Sequence, residues 1–231
     1  MITVETIRER HSVREYDGKP LSRAEFDALI AVVEECARES GLGIQLVDNN
    51  PEVFSVIARF GLIRGCRTHV AFVVDGAKAG DVAADEAIGY WGQKIVLAAQ
   101  DMGLNTCWCA LCSRKKSHAV VAPGKKIRLV IAVGHGKTQG FSRKTKSVEA
   151  LSSVECAKAP TWFAAAMEAA QLAPTAMNNQ NFKITLLSDG KTVRIDAPQS
   201  GLNVIDEGIV RCNFEIAANE AGADWRWERG I

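Results

Sequence analysis

Residues 87–108, AIGYWGQKIVLAAQDMGLNTCW, and residues 206–227, DEGIVRCNFEIAANEAGADWRW, decide the reading of the fold, because the second stretch repeats the plan of the first 119 positions later. Gly89 meets Gly208, Ala98-Ala99 meets Ala217-Ala218, Gly103 meets Gly222 and Trp108 meets Trp227. Gln100-Asp101 against Asn219-Glu220 is a chemically similar pair. Each stretch reads as a long helix, a capping glycine and a short strand bearing Trp. Matches of Ala and Gly also arise by chance in helical sequence. The physical alternative is a duplicated unit whose copies pack face to face within one chain, as a homodimer would.

Outward from this pair, helices and strands alternate. Residues 4–9 read as a helical turn. Ser22 caps a helix whose Glu25 completes a capping box and whose Phe26, Leu29, Ile30, Val33 and Ala37 keep helical spacing. Gly41 and Gly43 stop it, and residues 44–47, 69–74, 106–111 and 127–133 read as strands. Residues 85–102 form the first helix of the repeat. A helix from about Pro160 to Leu172, a hairpin of 182–187 and 192–196 around Asp189-Gly190, a helix over 204–221 and a strand at 225–227 complete the order. The class is α+β or α/β. No Pro- or Ser-rich linker divides the chain, so 1–231 is expected to be a single compact unit, with 1–150 as its first half and 151–231 as a shorter second half.

The halves differ in a complementary way. Arg10-His11-Ser12-Val13-Arg14 precedes the first copy, whereas no such cluster occurs at 155–163 before the second. Ala173-Pro174-Thr175-Ala176-Met177-Asn178-Asn179-Gln180 belongs to the second copy, and the corresponding residues 37–45 hold neither Pro nor Asn. In an extended segment Arg10, Ser12 and Arg14 share one face, and two guanidinium groups with a hydroxyl can receive a phosphate dianion; a solvated basic stretch has the same composition. Arg143 and Lys144, with Thr145 and Lys146, form a second cationic cluster after a glycine turn. They suit the other side of a phosphate clamp, or simply a solvated face. The Thr, Asn and Gln groups of 173–180 could hydrogen-bond the polar edge of a heterocycle, or fill an ordinary helix-to-strand loop.

Composition bounds the partners. With 231 residues, 47% of them hydrophobic, and a net charge of +1, the chain has enough apolar sequence for a core and no global field for nucleic acid or an anionic membrane. No signal segment or apolar run near the ~20 residues of a membrane span is found, so a cytoplasmic protein is expected. Seven cysteines without a secretory signal read as reduced thiols. Cys107, Cys109 and Cys112 invite a metal reading, but zinc needs four ligands, normally as two spaced pairs, and Cys36, Cys66, Cys156 and Cys212 are scattered. Buried thiols, with Cys107 and Cys109 on one strand face and Trp108 opposite, are expected. No metal is. Gly134-His135-Gly136 precedes a basic loop instead of a helix, which excludes a dinucleotide-binding turn.

Together these residues resemble the nitroreductase-like flavoprotein family. The resemblance rests on Arg-His-Ser-x-Arg at 10–14, the helix opening Leu21-Ser22 and the strand at 70–74. It extends to Gly103-Leu104-Asn105-Thr106-Cys107-Trp108, the strand 130–134 with its basic loop, and the Ala-Pro-Thr-x-x-Asn-x-Gln motif at 173–180, displaced here into the second half. The resemblance implies a nitroreductase-like α/β sandwich with two pseudo-symmetric halves, binding one FMN as a single-chain mimic of the family's dimer. On that basis Arg10, His11, Ser12 and Arg14 would contact phosphate and ribityl, aided by Arg143 or Lys144. Pro174, Thr175, Ala176 and Asn178 would reach the flavin from the other copy. Cys109, Ala110 and Leu111 would line the ring with backbone groups, and Arg64 would lie near the pyrimidine edge. No side chain is expected as acid or base, since the flavin carries the chemistry.

The implied activity is NAD(P)H-driven, ping-pong reduction of a nitroaromatic, quinone or related small acceptor, with the monomer sufficient for the site and further self-association compatible with it. The alternatives are a flavin-storage or redox-sensing protein, and an interaction module that has lost its flavin. Asn181-Phe182 stands where the family often has Pro-Trp, which leaves the substrate open.

Overall fold

The computed structural model describes residues 2–55, 63–155 and 158–228, and Cys156 lies outside them. The order is α1 (Val4–Glu9), α2 (Arg23–Ser40), β1 (Gly43–Val47), β2 (Thr68–Asp75), α3 (Val82–Asp101), β3 (Asn105–Cys109), β4 (Lys125–Gly134), α4 (Val148–Leu151), α5 (Thr161–Gln171), β5 (Lys183–Leu186), β6 (Thr192–Asp196), α6 (Asn203–Glu220) and β7 (Arg226–Trp227). Contacts group the residues into two units. The first holds Glu9–Ala84 and Lys94–Ser142; the second holds Ile2–Arg8, Asp85–Gln93 and the residues from Arg143 onward. The units interleave along the chain and so differ from the stretches 1–150 and 151–231, which concern duplication and not packing.

The first unit is built on an antiparallel sheet of order β1-β2-β4-β3. Every residue of β2 except Asp75 is buried, as its unbroken apolar sequence requires. The pairing of β2 with β4 slips between Phe72 and Val73, where Phe72 opposes Leu129 and Val73 opposes Ile127. That extra residue lets Ile127 join Val130 and Ala132 on the face that packs with Val13, Tyr16, Ala71, Val73, Cys107 and Cys109. On the other face Trp108 stacks on Phe72, ring centroids 6.1 Å apart. The Ser22–Glu25 capping box forms as expected. The Ser22 hydroxyl accepts from the Glu25 N–H at 3.2 Å, and the Ser22 N–H donates to the Glu25 carboxylate at 2.7 Å.

The second unit joins α5 and α6 to a sheet of order β5-β6-β7, antiparallel then parallel. Its aromatic cluster centres on Phe214, whose ring lies 5.1 Å from Trp227, 5.3 Å from Trp225 and 5.8 Å from Phe163. Within this unit α3 and α6 touch at glycines. A Cβ on Gly89 would stand 2.0 Å from the Ile205 carbonyl oxygen, and one on Gly208 would stand 2.0 Å from that of Glu86. Ile205 is the residue that the repeat lays over Glu86, so the two contacts are reciprocal, as at a two-fold axis.

The helix ends match as well. Gly103 and Gly222 take φ of 79° and 66°, the left-handed region that glycine enters without penalty. The next residues, Leu104 and Ala223, donate back to the Ala99 and Ala218 carbonyls at 2.9 and 3.2 Å. Among the described residues no helix is long and apolar enough to cross a membrane.

Candidate functional site

After α1 the chain runs extended beside β3. The Val13 N–H donates to the Thr106 carbonyl at 3.0 Å, and Ser12 bridges Thr106 in parallel register. Side chains therefore alternate between two sides. His11 and Val13 turn to the glycine loop, for a Cβ on Gly140 would fall 2.7 Å from the His11 Cβ and 3.4 Å from the Val13 Cγ2. The His11 ring is committed at both nitrogens: Nδ1 lies 2.8 Å from the Glu9 carbonyl oxygen and Nε2 lies 3.0 Å from the Ser142 hydroxyl. A carbonyl only accepts, so Nδ1 carries a proton, and in the neutral ring Nε2 accepts from Ser142. This residue fastens the 140–142 loop.

Arg10 is the opposite case. It is 8% exposed, yet its Nε is buried without a partner, and its guanidinium makes no hydrogen bond or ion pair among the described residues. Burial holds its pKa down to about 10, against a smaller upward push from Cys107. Arg14 and Ser12 are half-buried, and their side chains too lack hydrogen-bonding partners among the described residues. Buried cationic donors left unpaired are costly. An anion with several acceptor oxygens would satisfy them together, and the phosphate of a mononucleotide cofactor fits that requirement.

Arg64 is tied to the same segment. Its N–H donates to the Arg14 carbonyl at 2.9 Å, and its own carbonyl accepts from the Tyr16 N–H at 2.8 Å. A Cβ on the following Gly65, at φ 70°, would stand 2.3 Å from the Tyr16 carbonyl oxygen, so this close approach needs glycine. The Arg64 side chain meets Glu15 at 3.4 Å with both groups exposed, a contact worth little against water. Tyr16 is buried, its hydroxyl without a partner among the described residues, and burial raises its pKa, with smaller contributions from Cys66, Cys107 and Cys109.

The expected strand 106–111 is shorter than its sequence suggested. β3 closes at Cys109, because 110–112 bend away and the Ala110 carbonyl, which a neighbouring strand would otherwise have paired, accepts from the Arg114 guanidinium at 2.8 Å. Cys109 is buried and Leu111 is 71% exposed, so these candidates separate into one inward and one outward side chain.

In the second unit the cationic loop and the Pro-Thr motif are brought together. The Asn178 amide donates to the Lys144 carbonyl at 2.8 Å. Gln180 is buried and binds the same loop twice: its Oε1 accepts from the Lys146 N–H at 2.7 Å, and its backbone carbonyl accepts from the Lys146 ammonium at 2.9 Å. Arg143 and Lys144 keep exposed side chains. The loop itself is bent hard, with Met177, Asn178 and Gln180 all at positive φ between 47° and 58°. Pro174, Thr175 and Ala176 are half-buried, and the Thr175 hydroxyl accepts from the Gln180 N–H at 3.0 Å.

Sequence reasoning passed over Asp206. From the first turn of α6 its two carboxylate oxygens accept from the Ala176 N–H at 2.9 and 3.0 Å. Burial pushes its pKa up to about 7, opposed by that hydrogen bond. An acidic residue near the start of a helix was visible in the sequence, but its grip on a loop 30 residues away was not. Among the described residues no group of three His, Cys, Asp or Glu side chains is placed to hold a metal.

The comparisons agree with this architecture. Residues 2–218 match the family model described as "Putative TM nitroreductase". A solved structure described as a putative nitroreductase from Thermotoga maritima is similar at a TM-score of 0.68 and 20% identity, covering 96% of this chain and 85% of that one. A putative nitroreductase in complex with FMN from Desulfovibrio desulfuricans is similar at 0.52 and 20% identity, over 66% and 95%. A putative NADH dehydrogenase/NAD(P)H nitroreductase from Parabacteroides distasonis is similar at 0.51 and 21% identity, again over 66% and 95%. No curated protein sequence matches. With nearly its whole length matched by the model, and with the nitroreductase fold, the chain belongs to the "Putative TM nitroreductase" family.

Proposed function

We propose that the protein is an FMN-dependent oxidoreductase that takes reducing equivalents from NAD(P)H. The observation that carries this reading is Arg10: a buried guanidinium with no partner among the described residues, beside the free donors of Ser12 and Arg14. In this reading these three side chains hold the phosphate, and the His11–Ser142 bond fixes the backbone that presents them. Arg64, fastened to Arg14 through the backbone, places a cation near the pyrimidine edge. Pro174, Thr175, Ala176 and Asn178, held in one conformation by Asp206 and Lys144, carry backbone and amide groups of the kind that hydrogen-bond a flavin edge. Bound FMN supplies two-electron hydride chemistry, which alternates between NAD(P)H and a nitroaromatic, quinone or related small acceptor. The side chains orient and exclude water; none needs to transfer a proton.

The reading that one chain mimics a two-subunit site is supported by the reciprocal Gly89 and Gly208 contacts and by the matched helix ends. It predicts one FMN per chain, because each copy retains a different motif. The neighbour solved with FMN lends support by fold alone. The test is the visible spectrum of the purified protein, with FMN added if it is colourless, before and after anaerobic NADPH. Flavin absorbance that bleaches supports the proposal; a protein that takes up no FMN, or whose bound flavin NADH and NADPH leave oxidised, overturns it.

A further inference from the structure

β2 carries two ionisable side chains, Asp75 at its exposed end and His69 in its buried run. His69 is 0% exposed and sits between Val47 of β1 and Ala132 of β4. Its ring stands edge-on to Phe54, with centroids 6.0 Å apart. Nε2 lies 2.9 Å from the Ser117 hydroxyl, and Nδ1 is buried with no partner among the described residues.

Residues 113–118 run beside this ring as a strap. The Ser113 N–H donates to the Val53 carbonyl at 2.7 Å. The Asn50 side chain donates to the Lys116 carbonyl at 3.1 Å and accepts from the His118 N–H at 2.8 Å. The Lys116 ammonium donates to the Ser55 hydroxyl at 2.9 Å. Those bonds fasten the strap to residues 50–55, and the Ser117–His69 bond ties it to the sheet. At its start the strap continues the 110–112 bend, which the Arg114 guanidinium grips through the Ala110 carbonyl at 2.8 Å.

A neutral imidazole tolerates this setting, because one nitrogen meets a hydroxyl that can donate or accept. An imidazolium does not. It carries two N–H donors and a full charge, yet Nδ1 has no acceptor among the described residues, and the Ser117 oxygen already accepts from the Ala119 N–H at 3.2 Å. The nearby carboxylates are engaged elsewhere: Glu52 accepts from the Asn50 amide at 3.0 Å, and Asp48 accepts from the Thr68 hydroxyl at 2.6 Å. Of the cations, Arg67 is on Asn49, Lys116 is on Ser55, and His118 adds a like charge when protonated. Burial accordingly brings the His69 pKa down to about 4, with a smaller push from His118.

We infer that His69 is a positioning residue: its neutral imidazole keeps the 113–118 strap on the sheet, and its protonation releases the strap and loosens the 110–112 bend after β3. The released ring reaches water and takes up its proton there. Because the folded value is depressed, the hold is complete above the ordinary value of 6.5 and is lost as pH falls towards 4. Only the link to a cofactor rests on the proposed function, in which Cys109, Ala110 and Leu111 line the flavin.

The test is amide hydrogen exchange of the full-length apo-protein at pH 7 and pH 5, read by mass spectrometry and corrected for the intrinsic pH dependence of exchange. Protection of the wild-type strap should fall roughly 20-fold, the ratio set by an imidazole pKa of about 4 in place and about 6.5 when released, while β2 and β4 keep theirs. His69→Gln keeps a polar group near the Nε2 position without a titrating ring, and should show no fall. Unchanged protection in the wild type, or an equal fall in His69→Gln, overturns the inference. If that variant does not fold, the wild-type ring decides: one of the four histidines must stay neutral at pH 5.5 in an NMR titration, and four ordinary titrations near pH 6.5 overturn it. With FMN bound, the wild type should release flavin several-fold faster than His69→Gln at pH 5, and equal release removes the positioning role. A protein that takes up no FMN at any pH fails the proposed function instead, and the strap is still judged by exchange.

Discussion

Gly208→Ala adds a single methyl group where the backbones of α3 and α6 meet. That carbon would stand 2.0 Å from the Glu86 carbonyl oxygen and 2.7 Å from the Tyr90 nitrogen. Comfortable carbon contacts lie near ~3.5 Å, so the helices must part by more than about 1 Å. Overpacking of this kind costs about 1–3 kcal/mol, and more where the obstacle is backbone. Alanine returns about 1 kcal/mol of helix propensity, so with the packing cost at the top of its range against backbone, about 3 kcal/mol, the net loss is about 2 kcal/mol. For a chain of this size that is a fall in Tm of roughly 3–10 °C, measured by calorimetry or circular dichroism.

Gly89→Ala, whose Cβ would meet the Ile205 carbonyl oxygen at 2.0 Å, should cost a similar amount. Both variants press on one contact. Once the helices have separated for the first methyl the second is partly accommodated, and the double variant should lose less than the sum of the singles. Unchanged or raised Tm in both single variants would refute the close crossing, and strict additivity would refute its being one shared contact.

Two further perturbations follow from buried charge. The raised pKa of Asp206, about 7, means that the folded state prefers the protonated acid; its stabilising contribution is complete below the ordinary value of 3.8 and is lost as pH rises through 7. At roughly 1.4 kcal/mol per pH unit the ceiling is about 4 kcal/mol, so Asp206→Asn, which still accepts from Ala176, should match the wild type only near pH 3 and exceed its Tm by a margin that grows up to pH 8. A pH-independent difference would remove Asp206 as the titrating group. Arg10→Met keeps the side-chain bulk and removes an unpaired buried cation, so it should raise the apo-protein's stability by about 1–3 kcal/mol in urea unfolding while weakening FMN binding. A destabilised apo-protein would mean that Arg10 has a partner already.

Local rules carried the reading of the fold far. The Ser22 capping box, the glycine stops at Gly41, Gly103 and Gly222, and the buried-strand pattern of β2 are short-range features, and each is present. Local signals ran out in three places. Residues 110 and 111 continue the apolar text of β3, but the bond from Arg114 to Ala110 bends the chain there. α3 begins at Val82, earlier than expected, because Asp81 caps it and accepts from Ala84 at 3.1 Å. α4 spans only four residues, too few for any period to register.

At the site, residue types and spacing marked Arg10, Ser12 and Arg14, but not that Arg10 is buried and unsatisfied, since burial is a tertiary property. The same holds for His11, whose ring is spent on Glu9 and Ser142. The grip of Asp206 on Ala176 likewise joins residues that no sequence window contains together.

The most direct test of the central claim is equilibrium binding of FMN and of riboflavin, which lacks the phosphate, to apo wild type and Arg10→Ala at several protein concentrations. Hydrogen bonds to a charged group contribute about 1.5–3 kcal/mol each, so removal of Arg10 should weaken FMN by at least about tenfold and leave riboflavin nearly unchanged. The wild type should hold one FMN per chain at every dilution. Equal losses for both ligands would contradict the phosphate site, and flavin held only at concentrations where chains associate would contradict its completion within one chain.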